Sequence, residues 1–324
     1  MALDRGKFSI SFIIPVLNGE KYIKGCLDHI CGEMASSDEI IVVDNGSTDS
    51  TVTIASSYHQ VKCLSYPEVT IATLRNRGAA AAKGDFFAFI DSDCLVCENW
   101  RSTVVTTLGD ERVGATGSTC DHPPDANWMV RAWQSSRVRH AIAIHYLNSA
   151  NFIVRRQAFE AIGGFNEELI TDEDSDIGLR LNAAGFLIIE NPDARVINLG
   201  VPQTLREYYR QKKWHAIGGF KLGIGNRLDK PMLMHVLFLL SAFATVFAVY
   251  FAVVGILNPM VVPALFFWVP VATALYQILR YKNFRYFFHL VVLYLIFYLA
   301  RTIALSQAIV TQNAKSTTKK VRKS

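Results

Sequence analysis

Two carboxylates one residue apart close an uncharged apolar run: Phe86-Phe87-Ala88-Phe89-Ile90 leads into Asp91-Ser92-Asp93. A buried strand ending here presents Asp91 and Asp93 at its carboxyl edge, where open α/β sheets bind ligands and where hard divalent cations find the oxygen ligands they prefer. The spacing suits a metal held against a diphosphate. A strand followed by a polar turn uses the same residue types, and repetition along the chain favours the chemical reading. A second acidic cluster, Thr171-Asp172-Glu173-Asp174-Ser175-Asp176, places four carboxylates within five residues. Such acids repel one another and need water, a cation or a basic partner. Ile177, Leu179 and Leu181 with Arg180 and Gly185 read as a helix that starts at this cluster, whose N-terminal dipole stabilises acids. A carboxylate crowded by others has a raised pKa and can serve as a general base; an acid-rich helix start is the plain alternative.

The elements that must position these acids are legible in the first half of the chain. Phe12-Ile13-Ile14 runs into Pro15-Val16-Leu17-Asn18, and Ile40-Ile41-Val42-Val43 runs into Asp44-Asn45-Gly46-Ser47-Thr48-Asp49. Short β-branched runs bounded by turn residues are the pattern of strands buried on both faces. Each is followed by a helical pattern. Tyr22, Ile23, Cys26, Leu27, Ile30 and Cys31 keep one-face spacing after Glu20, Ser47 or Asp49 can cap a helix through Thr51 to Ser57, and an Ala-rich stretch from Ile71 to Lys83 closes on Gly84. Alternating strands and helices predict a parallel sheet with right-handed crossovers, so three polar strand ends converge on one edge.

The chain has 324 residues, 51% of them hydrophobic, and the excess sits at one end. Met232–Leu257 and Met260–Leu279 carry no formal charge, and a third apolar stretch from Tyr286 continues past Arg301 to about 309; each is long enough to cross a bilayer as a helix. Residues 231–324 hold nine Lys or Arg and no Asp or Glu, so an overall charge of +5 leaves −4 on the first 230 residues. The basic character is a membrane property and does not point to nucleic acid. Arg206, Arg210, Lys212, Lys213, Lys221, Arg227 and Lys230 against Glu207 and Asp229 place the N-terminal domain in the cytoplasm by the positive-inside bias. Arg280, Lys282 and Arg285 also read as cytoplasmic, whereas three full crossings would put Lys315, Lys319, Lys320, Arg322 and Lys323 outside. A re-entrant or interfacial segment, with Pro263 and Pro270 in the second stretch, is the alternative to an exceptional tail. The expected organisation is a domain over 1–230 with a juxtamembrane amphipathic segment at about 203–226. Membrane helices follow at about 232–257, 260–279 and 286–309, and a basic disordered tail over 311–324. The N-terminal apolar stretch carries Pro15 and reads as a strand, not a secretory signal. Six cysteines on a cytoplasmic domain read as reduced thiols; Cys94 and Cys97 form one close pair without a second pair at zinc-ligand spacing.

In order, Ile14-Pro15-Val16-Leu17-Asn18-Gly19-Glu20, Val43-Asp44-Asn45-Gly46-Ser47-Thr48-Asp49, Arg75-Asn76-Arg77-Gly78, Asp91-Ser92-Asp93, Gly163-Gly164-Phe165 and Glu173-Asp174 leading to Leu179-Arg180-Leu181 resemble the inverting glycosyltransferases of family 2 with the GT-A fold. The resemblance covers roughly residues 9–220. It implies an α/β Rossmann-like nucleotide-diphospho-sugar transferase domain followed by an α-helical transmembrane region. It further implies a nucleoside pocket lined by Pro15, Asn18, Glu20 and Asp44, with Arg75 near the pyrophosphate or base. Asp93, assisted by Asp91, would hold Mg²⁺ or Mn²⁺; Asp174 would be the catalytic base and Glu173 its support or an acceptor contact.

Arg206-Glu207-Tyr208-Tyr209-Arg210-Gln211-Lys212-Lys213-Trp214 is similar to the Gln-x-x-Arg-Trp element of membrane-bound synthases in this family, with Arg210 and Lys213 in place of Gln and Arg. An interfacial helix lying over anionic headgroups is the other reading. By the resemblance Trp214 stacks on an acceptor sugar and Lys213 meets a lipid phosphate. Ile197-Asn198-Leu199-Gly200 lacks the His that many relatives supply near the metal. The expected partners are a nucleotide-sugar donor, a lipid-linked or glycan acceptor and the lipid bilayer. The expected place is the cytoplasmic (inner) membrane, crossed several times, in envelope or extracellular polysaccharide assembly. Direct charging of a polyprenyl phosphate, and a silent nucleotide-sugar-binding scaffold, are the alternatives. No G-x-G-x-x-G follows the first strand, which disfavours a nicotinamide oxidoreductase. The segment from Thr116 to Asn127 is expected to help select the sugar.

Overall fold

The computed structural model describes residues 8–135, 140–222 and 230–321. The end of the expected juxtamembrane segment (223–226), Arg227, Asp229, Arg322 and Lys323 lie outside the described residues. In chain order the elements are β1 (Ile10–Val16), α1 (Ile23–Glu33), β2 (Glu39–Asp44), α2 (Thr51–Ser56), β3 (Val61–Ser65), α3 (Ile71–Ala81), β4 (Phe86–Ile90), β5 (Cys94–Val96), α4 (Trp100–Thr107) and β6 (Val113–Gly117). There follow α5 (Trp128–Trp133), β7 (Ile142–Ile144), β8 (Asn151–Arg155), α6 (Arg156–Ala161), α7 (Glu173–Ala183), β9 (Leu187–Glu190) and β10 (Val196–Asn198). The chain ends with α8 (Leu205–Leu222), α9 (Lys230–Val253), α10 (Val261–Tyr281) and α11 (Phe287–Val321). These residues form two compact units, one of 1–126 with 137–201, the other of 127–136 with 202–324.

The first unit is built on an eight-stranded sheet in the order β3-β2-β1-β4-β8-β6-β9-β7. β3, β2, β1 and β4 run parallel, as strand-helix alternation requires, while β8 pairs antiparallel with both β4 and β6, and β7 antiparallel with β9. The sheet is therefore mixed, because the second half inserts strands without a crossover helix between each. Side chains alternate between two cores. Phe12, Ile14, Phe86 and Ala88 pack on one face with Ile23, Leu27 and Ile30 of α1; Ile13, Phe87 and Phe89 pack on the other with Leu74 of α3 and Ile177 and Leu181 of α7. All five residues of β4 are buried, each Phe or Ile side chain contributing about 1.5–3 kcal/mol on leaving water. That burial fixes the register that brings Asp91 to the edge. Pro15 is accommodated inside β1 because the β4 ladder ends at Ile13↔Phe89, two residues before it. A two-stranded antiparallel ribbon, β5 with β10, continues from the end of β4.

The second unit contains three helices long and apolar enough to cross a membrane, with spans Met232–Val253, Val261–Tyr281 and Phe284–Gln307. α10 carries Pro270 inside it and stays one helix. Polar groups between these helices find partners, as Thr273 Oγ1 and Tyr298 Oη do at 2.9 Å. Two boundaries differ from the sequence expectation. The helix α11 continues through Val321, beyond Thr311, since that stretch contains neither Gly nor Pro to end it. The first unit ends at 201, not 230, because α8 buries Tyr208 against Met129, Ala132 and Leu293. Residues 127–136 belong with that membrane unit for the same reason: Trp133 packs on Tyr208, Tyr294 and Phe297. Asn127 caps α5 by accepting from the Met129 and Val130 N–H groups, and its amide donates to Pro202 O at 2.9 Å.

Candidate active site

The loops after β1 and β2 are stitched together by the side chains expected to line a nucleoside pocket. Asp44, 4% exposed, accepts from the Gly46 N–H (2.9 Å) and the Ser47 N–H (3.0 Å), which fixes the turn after β2. Asn18 has a left-handed backbone (φ 51°); its N–H donates to Ser47 Oγ at 2.8 Å and its Oδ1 accepts from the Thr48 N–H at 2.9 Å. Glu20 Oε2 accepts from the Ser50 N–H at 3.0 Å. Pro15 is buried inside β1. Asn18, Glu20 and Asp44 are thus brought to one edge, where they hold backbone N–H groups in place.

Arg75 joins the two acidic clusters. It lies on the buried face of α3, 2% exposed, and donates through Nη1 to Glu173 Oε1 at 2.7 Å and through Nη2 to Asp91 Oδ1 at 3.0 Å. Its Cζ lies 5.6 Å from the centre of the Phe165 ring and its Nε is sealed without a partner. Both terminal nitrogens therefore contact protein carboxylates, in an internal ion-pair network. Ser149 adds a second donor to Glu173, its hydroxyl lying 3.1 Å from Oε1. The neighbouring residue, Asn76, clamps the Gly163-Gly164-Phe165 loop: its Oδ1 accepts from the Phe165 N–H at 2.9 Å, and its Nδ2 donates to Phe165 O (2.8 Å) and Glu167 Oε1 (2.9 Å). Gly163 and Gly164 take φ of 75° and 73°, conformations that favour glycine. Gly78 completes the motif by close approach, since a Cβ there would stand 2.3 Å from Ile13 Cγ2 on β1.

In each acidic pair one carboxylate contacts Arg75 and the other does not. Asp174 starts α7 beside Glu173; burial, then Glu173, pushes its carboxyl up to about 6, against hydrogen bonding from the Ser175 N–H at 2.8 Å. Asp93 is likewise pushed up to about 6, by burial first and Asp91 second. Asp93 accepts from the Asn198 amide at 3.3 Å and has no cationic partner among the described residues. Asp172, left-handed at φ 65°, precedes α7, and Asp176 pairs with Arg180 (Nε to Oδ2 2.9 Å), which also holds Ile162 O and Gly164 O.

Sequence reasoning missed Ser149, which carries no local pattern that marks it, and read the segment Ile197-Asn198-Leu199-Gly200 only for the His it lacks, not for the Asn198 amide that reaches Asp93. Gly200, noted for lacking a His, proves to touch the site through its bareness, because a Cβ on it would lie 1.8 Å from Asp93 Oδ2. The Asp93 backbone carbonyl accepts from the Leu199 N–H at 2.8 Å, which secures that approach. The six cysteines are free thiols; Cys94 is buried and donates to Asp93 Oδ1, while Cys97 is half-buried. Arg210 and Trp214 lie exposed on α8, and Lys213 is half-buried.

The family model described as Glycosyl transferase family 2 matches residues 11–163, and one described as Glycosyl transferase family group 2 matches 125–309. An uncharacterized glycosyltransferase of Rickettsia typhi is 37% identical over 219 residues, covering 61% of this chain and 69% of that protein. The glycosyltransferase AglE of Haloferax volcanii is 28% identical over 189 residues, 55% of this chain and 62% of its own. Among the first relatives matched, the chain spans between 31% and 62% of their length. A solved mannosyltransferase, PcManGT of Pyrobaculum calidifontis in complex with GDP-Man and Mn²⁺, superposes with a TM-score of 0.62 at 20% identity, covering 91% of this chain and 88% of that one. That likeness shows the fold.

Proposed function

We propose, from the premise that this chain belongs to glycosyl transferase family 2, that it moves a single sugar from a nucleotide-sugar donor to a lipid-linked acceptor at the cytoplasmic membrane face, with inversion. Arg75 carries this reading: by binding Asp91 and Glu173 at once it ties the strand-edge acid pair to the helix-start acid pair, so that donor and acceptor groups meet in one place. The charge asymmetry around the apolar helices supports the cytoplasmic side.

Asp91 and Asp93 fit a divalent cation. Mg²⁺-type ions are commonly held by one or two carboxylates and completed by substrate phosphates and water, and no group of three or more His, Cys, Asp or Glu converges among the described residues. The bare Cα of Gly200 leaves the Asp93 Oδ2 edge clear of side chain. Once bound, such an ion supplies Lewis-acid stabilisation of the departing diphosphate. The chain's own part is proton transfer and positioning. Asp174 takes the proton of the acceptor hydroxyl as that oxygen attacks, a role that its raised pKa suits at neutral pH. Glu173, held by Arg75 and Ser149, fixes the start of α7 and with it the place of Asp174. Removing the base should slow transfer by about 10²- to 10⁴-fold.

A panel of UDP-, GDP- and dTDP-sugars with Mn²⁺, read by thermal shift on the full chain, identifies the donor; a ligand at ~100 times its Kd adds ~2.7 kcal/mol. Asp174→Asn should then keep donor stabilisation and lose transfer to octyl glycoside acceptors. Full transfer by that variant removes Asp174 from the role, and no response to any donor removes the proposed function.

A further inference from the structure

On α8, Tyr208, Lys212 and Ala216 recur at four-residue spacing and so share one face. Tyr208 and Ala216 are 2% and 0% exposed, and Lys212 between them is half-buried, so a lysine stem lies along the helix's covered stripe. Its Nζ stands 4.5 Å from the centre of the Trp133 ring and 5.1 Å from that of Tyr208. Trp133 is itself wedged among Tyr208, Tyr294 and Phe297 at 5.5, 5.5 and 5.9 Å. Ring faces attract a cation but accept little from its three N–H groups. No carboxylate or hydrogen-bond acceptor meets this ammonium among the described residues, and burial alone pushes its pKa down to about 8, so it stays mainly charged at neutral pH.

The second unit has only two acids in sequence, Glu207 and Asp229. Glu207 is spent on the Gln203 N–H (2.6 Å) and lies five residues from Lys212, on another side of α8. Lys212 is half-buried, so its ammonium is not sealed off from an anion outside the protein. A cation partly withdrawn from water between two rings, without an acceptor, is costly to hold, and an apolar residue of similar length would pack there without that cost. The same unit supplies the chemistry of the missing anion, since three of its helices are long and apolar enough to span a bilayer.

We propose that Lys212, framed by Trp133 and Tyr208, is a binding site for the phosphate of a membrane lipid. The ammonium supplies the charge and N–H donors, and the two rings hold the stem in place for the headgroup. Lys212 takes the role the sequence pattern suggested for its neighbour Lys213.

Purified full chain in neutral detergent is melted alone and with phosphatidylglycerol, decaprenyl phosphate, diacylglycerol or inorganic phosphate, and lipid adducts are counted by native mass spectrometry. Wild type should be stabilised by the two phosphate lipids and not by diacylglycerol. Lys212→Met should melt higher than wild type without lipid and bind phosphate lipids about tenfold more weakly or worse; Lys212→Gln should lose binding equally, and Lys213→Met should keep it. Stronger binding of decaprenyl phosphate supports an acceptor lipid at this site, and equal binding supports a bilayer phospholipid. Undiminished lipid binding in Lys212→Met and Lys212→Gln, or an inorganic phosphate response as large as the lipid response, overturns the proposal. Asp174→Asn should bind lipid as wild type does, so failure here and failure of the catalytic assignment are read separately.

Discussion

Replacing Arg75 by Met removes the shared partner of two acids that the fold has drawn out of water. The Arg75–Glu173 pair is nearly sealed, with side chains 3% and 10% exposed and a 2.7 Å contact. Deleting one member of a buried pair strands the other charge and costs about 3–5 kcal/mol. The Arg75–Asp91 pair, whose acid is 35% exposed, adds at most about 1 kcal/mol. The combined loss, about 3–6 kcal/mol, is a large share of a domain's usual 5–15 kcal/mol. For a unit of about 190 residues it corresponds to a fall in Tm of about 6–24 °C. Urea and thermal unfolding of the purified chain in mild detergent, followed by circular dichroism, measures it. The double variant Arg75→Met, Glu173→Gln removes the stranded carboxylate and should recover at least about 2 kcal/mol, a non-additivity diagnostic of direct contact. A single variant within about 1 kcal/mol of wild type, or a double variant no better than the single, refutes the ion-pair account.

Gly200→Ala should leave stability within about 1 kcal/mol, because the atom it meets is the movable end of Asp93. It should nonetheless weaken Mn²⁺-dependent donor binding at least tenfold by turning that carboxylate aside; unchanged affinity in calorimetric titration would show that Asp93 is not where the donor is held. Acid should act in opposite directions on rate and stability. Asp174 is held near 6 against an ordinary value near 4, so activity falls as pH drops through about 6. The folded chain binds a proton that the unfolded chain releases, so this group's contribution to stability rises over the same descent and levels off below about 4. The melting-temperature difference between pH 5 and pH 7 should therefore be smaller in Asp174→Asn than in wild type.

The sheet's first half is readable because strands buried on both faces need unbroken apolar runs, and Phe86–Ile90 and Ile40–Val43 supply them without a competing helical period. Asp91 and Asp93 are readable for the same reason, standing where one of those runs stops, and Glu173 and Asp174 because they open the helical pattern of α7. Their wiring is not, because Glu173 lies 98 residues from the arginine that holds it and Ser149 lies 24 residues from Glu173. Local spacing carries no information about such closures. Asn76 shows the limit from the other side: it stands in a recognisable motif, yet its work is to clamp a glycine loop 89 residues away. The antiparallel strand β7 escapes notice since it is three residues long, β8 since its run Phe152-Ile153-Val154 passes directly into α6 without a turn to bound it, and the affiliation of 127–136 depends on aromatic packing partners more than 70 residues distant.

Because the stretch from Asn127 to Ser136 is folded into the membrane unit, the polypeptide passes between its two halves three times instead of once. No single cut can liberate an intact water-soluble fragment. A piece ended at Val201 keeps Met129 and Trp133 but forfeits Tyr208, Leu293, Tyr294 and Phe297, the surfaces that shelter them. Such a piece would carry an orphaned helix, α5, with its aromatic side chains bared, prone to stick to itself. Excising that segment along with everything after Val201, and bridging the gap with a short polar linker, is the shortening that the topology permits.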